Sequence, residues 1–177
     1  SDAGAVLVGT TGGALAWGDY DNDGDLDLVV GGTSTTGASM TLYRNSNGVL
    51  AAVTSGLPAY SACALAWADF DNDGDVDLLV AGTSTAGRVT RVYRNSAGSF
   101  ADIGATPQGI LGGTTAWGDY DNDGRSDFVV VGSTGSVQVC EIHRNDGTDL
   151  FPNVSFPGLP LGAESAAWGD YDNDGDL

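Results

Sequence analysis

Lysine is absent from this 177-residue chain, and its six basic residues are all arginine. Twenty-four acidic residues stand against them, for a formal charge of -18 at pH 7. A chain so short of positive charge is a poor partner for nucleic acid or an anionic membrane. Histidine occurs once, at His143, and no Ser/His/Asp or Cys/His pattern accompanies it, so the sequence offers no support for nucleophilic catalysis. The two cysteines, Cys63 and Cys140, fall at different places in the sequence pattern and read as free buried thiols. No apolar run is long enough for a membrane-spanning helix. No long stretch carries the 3.6-residue period either, and with 28 glycines this disfavours helix throughout.

What the chain has in abundance is aspartate, and it is clustered. Asp19-Tyr20-Asp21-Asn22-Asp23-Gly24-Asp25-Leu26-Asp27 recurs at 69–77 and 119–127, and in part at 170–177. Carboxylates at positions 1, 3, 5 and 9 of a tight loop can converge on one point, and the glycine at position 6 allows the sharp turn. Oxygen-only ligands of high negative charge suit Ca²⁺ better than Mg²⁺. The expected side-chain ligands are Asp19, Asp21, Asp23 and Asp27, then Asp69, Asp71, Asp73 and Asp77, then Asp119, Asp121, Asp123 and Asp127. Position 7 is Asp25, Asp75, Arg125 and Asp176, which suggests a backbone carbonyl ligand indifferent to its side chain. The last loop offers Asp170, Asp172 and Asp174 but stops before position 9, and Arg125 adds a positive charge to the third, so these two are expected to bind more weakly. An EF-hand is excluded because position 12 is Val30, Val80 and Val130 where that loop needs glutamate, and the flanks are strand-like.

The loops belong to a larger repeat. Trp17, Trp67, Trp117 and Trp168 stand at intervals of 50, 50 and 51 residues, each two before a loop. An apolar run follows each complete loop (28–30, 78–80, 128–130), then a Gly/Ser/Thr turn, then Tyr43-Arg44-Asn45, Tyr93-Arg94-Asn95 or His143-Arg144-Asn145. A further strand is expected near Val49, Phe100 and Phe151. Each unit thus reads as four short antiparallel strands. The second is apolar on consecutive residues and must be buried on both faces. Four-stranded units stacked face to face with a period of about 50 residues make an all-β chain of β-propeller blades. The expected division is a last strand of a preceding blade at 1–10, blades at 11–60, 61–110 and 111–160, and the start of another at 161–177. Three blades do not close a ring, so the chain reads as a piece of a longer array or as a unit that self-associates through open blade edges.

Residues 16–30 followed by Leu42-Tyr43-Arg44-Asn45 resemble the FG-GAP/VCBS repeat, and the resemblance covers essentially the whole chain. It implies a propeller of the kind found in integrin α-subunits and in large secreted or surface bacterial proteins, with Ca²⁺ held in each loop at positions 1, 3, 5, 7 and 9. It implies an extracellular or cell-surface, non-catalytic scaffold for adhesion or recognition of a protein or glycan. A lectin, or an accessory propeller of a polysaccharide-degrading enzyme, is the alternative. Within the repeat, His143 and the arginines of the Tyr-Arg-Asn element read as structural. Partner recognition is sought where the repeats differ, at Arg88, Arg91, Gln138 and Glu141. Asn153-Val154-Ser155 is a glycosylation sequon, and 33–36 reads as a flexible turn.

Overall fold

A computed structural model of the chain describes residues 6–154, 165–175 and 177. Among these the fold is all-β, in three four-stranded antiparallel sheets. The first comprises β1 (Thr11–Gly18), β2 (Asp27–Ser34), β3 (Gly37–Ser46) and β4 (Val49–Val53). The second comprises β5 (Ser61–Ala68), β6 (Asp77–Ser84), β7 (Gly87–Ser96) and β8 (Ser99–Asp102), and the third β9 (Leu111–Gly118), β10 (Asp127–Ser133), β11 (Gln138–His143) and β12 (Asn153–Val154). Each sheet keeps the chain order of its strands, and none closes on itself. The register repeats: Trp17, Leu28 and Tyr43 lie opposite one another in the first sheet, as do Trp67, Leu78 and Tyr93 in the second and Trp117, Phe128 and His143 in the third.

The consecutive apolar residues of the second strands divide by parity. Successive side chains of a strand point to opposite faces. In β6, Leu78 and Val80 therefore join a cluster with Val29 and Leu42 of the first sheet, while Leu79 and Ala81 join Phe128 and Val130 of the third. In β2 only Val29 faces the second sheet, and Leu28 and Val30 pack with Tyr43 and Leu50 on the outer side. In β10, Val129 and Val131 turn outward onto Ala166 and Trp168. The second sheet is thus sandwiched, and the middle strand of each sheet is buried throughout its apolar run.

The fourth strand departs from the repeat in the third sheet. β12 is two residues long and starts at Asn153, not Phe151. Phe151 instead has a left-handed backbone (φ 49°) and is buried against Phe70, Trp117 and Phe128. The cause is local. Residues 146–150 form a looser turn where the first two sheets have tight two-residue turns at Asn47-Gly48 and Ala97-Gly98, with positive φ at both positions. At the start of the chain, residues 6–10 carry no strand, and residues 1–5 lie outside the described residues. So does Ser155, the third residue of the sequon.

Candidate metal centre

Each acidic loop joins the first strand of a sheet to the second and is folded by its own carboxylates. Asp19 accepts the backbone N–H groups of Asp23 and Gly24 (3.1 and 2.9 Å), and Asp23 accepts that of Asp25 (3.0 Å). Asn22 sits in the left-handed region (φ 56°), as do Asn72, Asn122 and Asn173 at the same position. Asparagine tolerates that conformation better than most residues. Asp27 is fully buried at the start of β2 and accepts two backbone N–H groups, from Tyr20 (3.1 Å) and Asn45 (2.7 Å). The second and third loops repeat these bonds through Asp69, Asp73 and Asp77, and through Asp119, Asp123 and Asp127.

This scaffold brings together carboxylate oxygens of Asp19, Asp21 and Asp27, all within 4.8 Å of one another. Asp69, Asp71 and Asp77 form the same group, as do Asp119, Asp121 and Asp127, while Asp170, Asp172 and Asp174 converge in the last loop with all three exposed. The position-5 residues of the complete loops stand outside these groups. Asp23 pairs with Arg44 (2.9 Å), and Asp123 with Arg125 and Arg144 (2.7 and 3.6 Å). At position 7 the carboxylates of Asp25 and Asp75 accept the N–H of Asn47 and Ala97 (2.7 and 2.8 Å) and tie the loop to the turn before the fourth strand. Arg125 cannot accept; it donates to the Asn145 carbonyl (3.0 Å), and the turn beyond it opens. Asp176 lies outside the described residues.

The donor set fits a hard cation on a specific count. Asp21 gives one oxygen to Arg44 (2.7 Å), but its Oδ1 is buried with no hydrogen-bond partner. A buried carboxylate oxygen left without a donor is costly, and this one belongs to the group that converges with Asp19 and Asp27. Asp71 and Asp121 are held alike by Arg94 and Arg144 (2.6 and 2.9 Å).

Burial pushes the Asp77 carboxyl up to about 7, against the two N–H bonds that favour its ionised form. Burial also raises Asp27 and Asp127. Asp23, by contrast, is held down by the Asp25 N–H and by Arg44. A folded value above the ordinary 3.8 means that the metal-free fold binds the Asp77 proton more tightly than the unfolded chain does. Its contribution to stability is present at low pH and lost as pH rises from about 4 to about 7. In chelator the chain is therefore expected to melt at a lower temperature at pH 8 than at pH 5.5, a comparison that thermal melts read directly.

Two sets of asparagines that sequence reasoning left without a role link the loops together. Asn22 Nδ2 donates to the Gly74 carbonyl of the next loop (3.1 Å), Asn72 to Gly124 (3.2 Å) and Asn122 to Gly175 (3.3 Å). Asn95 Nδ2 reaches back to the Tyr20 carbonyl (2.7 Å) and Asn145 to that of Phe70 (2.8 Å). Their signal was constant position in every repeat. The other singled-out residues differ in their surroundings. His143 stacks on Phe128 at 4.9 Å and contacts the Phe151 carbonyl and Glu141. Arg88 donates to the Thr134 carbonyl of the next sheet, and Arg91 pairs with Asp102 (3.3 Å). Gln138 is exposed at the start of β11. Cys63 is buried and Cys140 half-buried, both free. Between the second and third loops lies a cavity of about 140 Å³, lined by Asp71, Asn72, Arg94, Arg125, Thr148 and Asp149 among others.

The family model described as FG-GAP-like repeat matches the chain three times, over residues 19–80, 69–130 and 119–177. No curated protein matches it.

Proposed function

The chain belongs to the FG-GAP-like repeat family, and from that premise we propose that it is a calcium-stabilised propeller segment serving extracellular recognition without catalysis. The observation that carries the calcium part is the converging carboxylate group with the unpartnered, buried Asp21 Oδ1. Asp19, Asp21 and Asp27, with their counterparts in the next two repeats, would hold the ion, together with Asp23, Asp73, Asp123 and the position-7 carbonyls. The ion would supply positive charge that lets these acids stay ionised together. The extracellular reading is supported by the family and by the Ca²⁺ level that loops of this kind require when their affinity is modest, near the millimolar range outside cells. Calorimetric titration of chelator-treated protein tests it. Three ions are expected to bind, and absence of binding at millimolar Ca²⁺ overturns the reading.

A lectin is the second reading, favoured by the cavity between the second and third loops. Its lining mixes donors and acceptors on side chains already fixed by one another: Arg94 bonds Asp71 and Asp149 at 2.6 and 2.8 Å. Fixed polar groups of both kinds suit a neutral polyol. If so, Thr148→Val is expected to weaken glycan-array binding by about tenfold, the cost of about one hydrogen bond to a fixed partner.

A further inference from the structure

Successive acidic loops share residues that touch both. Asn95 is fully buried between the first loop and the second. Its Nδ2 donates to the Tyr20 carbonyl (2.7 Å), part of the peptide that joins Tyr20 to Asp21, and its own N–H donates to Asp77 Oδ1 (2.8 Å). One residue thus holds a member of the first carboxylate group through its side chain and a member of the second through its main chain. Asn145 does the same one repeat later. It bonds the Phe70 carbonyl beside Asp71 (2.8 Å) and Asp127 Oδ1 (2.6 Å). The second oxygens complete the path, since Asp27 Oδ2 accepts the Tyr20 N–H (3.1 Å) and Asp77 Oδ2 that of Phe70 (3.0 Å). Asp27, Asp77 and Asp127 are therefore joined through Tyr20, Asn95, Phe70 and Asn145, and every member of that series is buried.

A second set runs over the exposed side of the loops. Asn22 Nδ2 reaches both the Gly74 carbonyl (3.1 Å) and the Asp75 carboxylate (2.7 Å), so it fixes the peptide just before the position-7 carbonyl of the second loop. The tryptophan bonds between sheets end elsewhere. Trp67 Nε1 donates to the Ala16 carbonyl and Trp117 Nε1 to that of Ala66 (both 3.2 Å), within strands and not in a loop.

We propose that the three complete loops take up Ca²⁺ in a linked way, occupancy of one raising the affinity of the next through Asn95 and Asn145. The proposal rests on the calcium reading above. In an unfilled loop the converging carboxylates repel, and closing the loop works against that repulsion. With the second loop occupied, Asp77 is fixed, Asp77 fixes Asn95, and the Asn95 side chain fixes the peptide of Tyr20 and Asp21. The first loop then closes with part of its ordering already done, and its apparent dissociation constant falls. Repulsion between the ions acts in the opposite sense, so the sign of the effect separates the two.

Calcium titration followed by NMR tests this loop by loop. The amides of Gly24, Gly74 and Gly124 serve as reporters, because each donates to the first aspartate of its own loop. Asp71→Ala empties the second loop; Asp71 stands outside the buried series and pairs with Arg94 (2.6 Å). In wild-type protein Gly24 is expected to report half-saturation at about fivefold lower Ca²⁺ than in Asp71→Ala. Asn95→Ala keeps every carboxylate and removes the side-chain donor, and it is expected to move Gly24 in the same direction. Where Asn95→Ala fails to fold, the Asp71→Ala comparison decides the question by itself. Equal Gly24 midpoints in wild type and Asp71→Ala overturn the linkage and leave the calcium reading intact. So does a tighter first loop in Asp71→Ala, the result that repulsion between ions alone requires, or a folded Asn95→Ala with the wild-type midpoint. Glycine signals that stay unmoved in wild-type protein at millimolar Ca²⁺ overturn the calcium reading, and the linkage with it.

Discussion

Chelation is expected to lower the melting temperature of the wild-type chain sharply, and Asp77→Ala is expected to be far more harmful in Ca²⁺ than in chelator. A ligand at a hundredfold excess over its dissociation constant stabilises by about 2.7 kcal/mol per site. Each kcal/mol moves the melting point of a chain of this size by about 2–4 °C. Asp77 has two jobs in the second loop. It lies in the group with Asp69 and Asp71, and it accepts the N–H groups of Phe70 (3.0 Å) and Asn95 (2.8 Å) from full burial. Removing it leaves two donors without an acceptor, at about 1–3 kcal/mol each. In Ca²⁺ the loss of that site adds to this cost. In chelator at pH 8 the substitution also removes a buried charge whose proton is held up to about pH 7, which offsets part of the damage. Differential scanning calorimetry of both proteins with and without Ca²⁺ measures the four quantities needed. Equal losses in both conditions would sink the metal assignment of this residue. Asp75→Ala is the control, since its carboxylate accepts the exposed Ala97 N–H and lies outside the converging group.

The same substitution at two equivalent tryptophans is expected to give opposite results. Trp117→Ala should cost about 3–5 kcal/mol, as for other large aromatic truncations in packed surroundings. Its ring contacts Phe70, Phe128 and Phe151 at 6.1, 5.3 and 5.9 Å, and its Nε1 bonds the Ala66 carbonyl. Trp17→Ala, at the same place in the first repeat, should change the stability of this 177-residue chain by less than about 0.5 kcal/mol, since its ring is half exposed among the described residues. Urea denaturation of dilute protein compares the two. A Trp17 effect as large as that of Trp117 would mean that the indole serves its own sheet and not the junction between sheets.

The fold was legible because its signals were local and repeated. Leu78-Leu79-Val80 is apolar without alternation, and the two faces of β6 do pack on different neighbours. Less legible was anything that depends on where a side chain turns once the loop is formed. The spacing of Asp23 matches that of Asp21, but only the direction of its side chain shows that it bonds Arg44 and the Asp25 N–H beside the group of Asp19, Asp21 and Asp27. Arg125 was visible as an exception, yet its partner, the Asn145 carbonyl, lies twenty residues downstream. The turn at 146–150 is looser than its counterparts, with one residue more between Asn145 and Phe151 than between Asn95 and Phe100, and Phe151 lies in the core outside the strand. A one-dimensional spacing rule carries no information about such an exchange of partners. The asparagines at loop position 4 were equally hidden, because a bond to the next loop joins residues about 50 apart that no local pattern relates.

Among the described residues, the side-chain bonds that cross from one repeat to another span a single junction, whether they start from tryptophan, asparagine, Arg88 or Arg94. Cooperativity in this chain is therefore passed along a line from neighbour to neighbour, as in a one-dimensional lattice. Among the described residues the second sheet has a complete sheet packed on either face, and its amides are expected to be the slowest to exchange. A folding nucleus formed there could add blades in either direction, so the order of synthesis need not be the order of assembly.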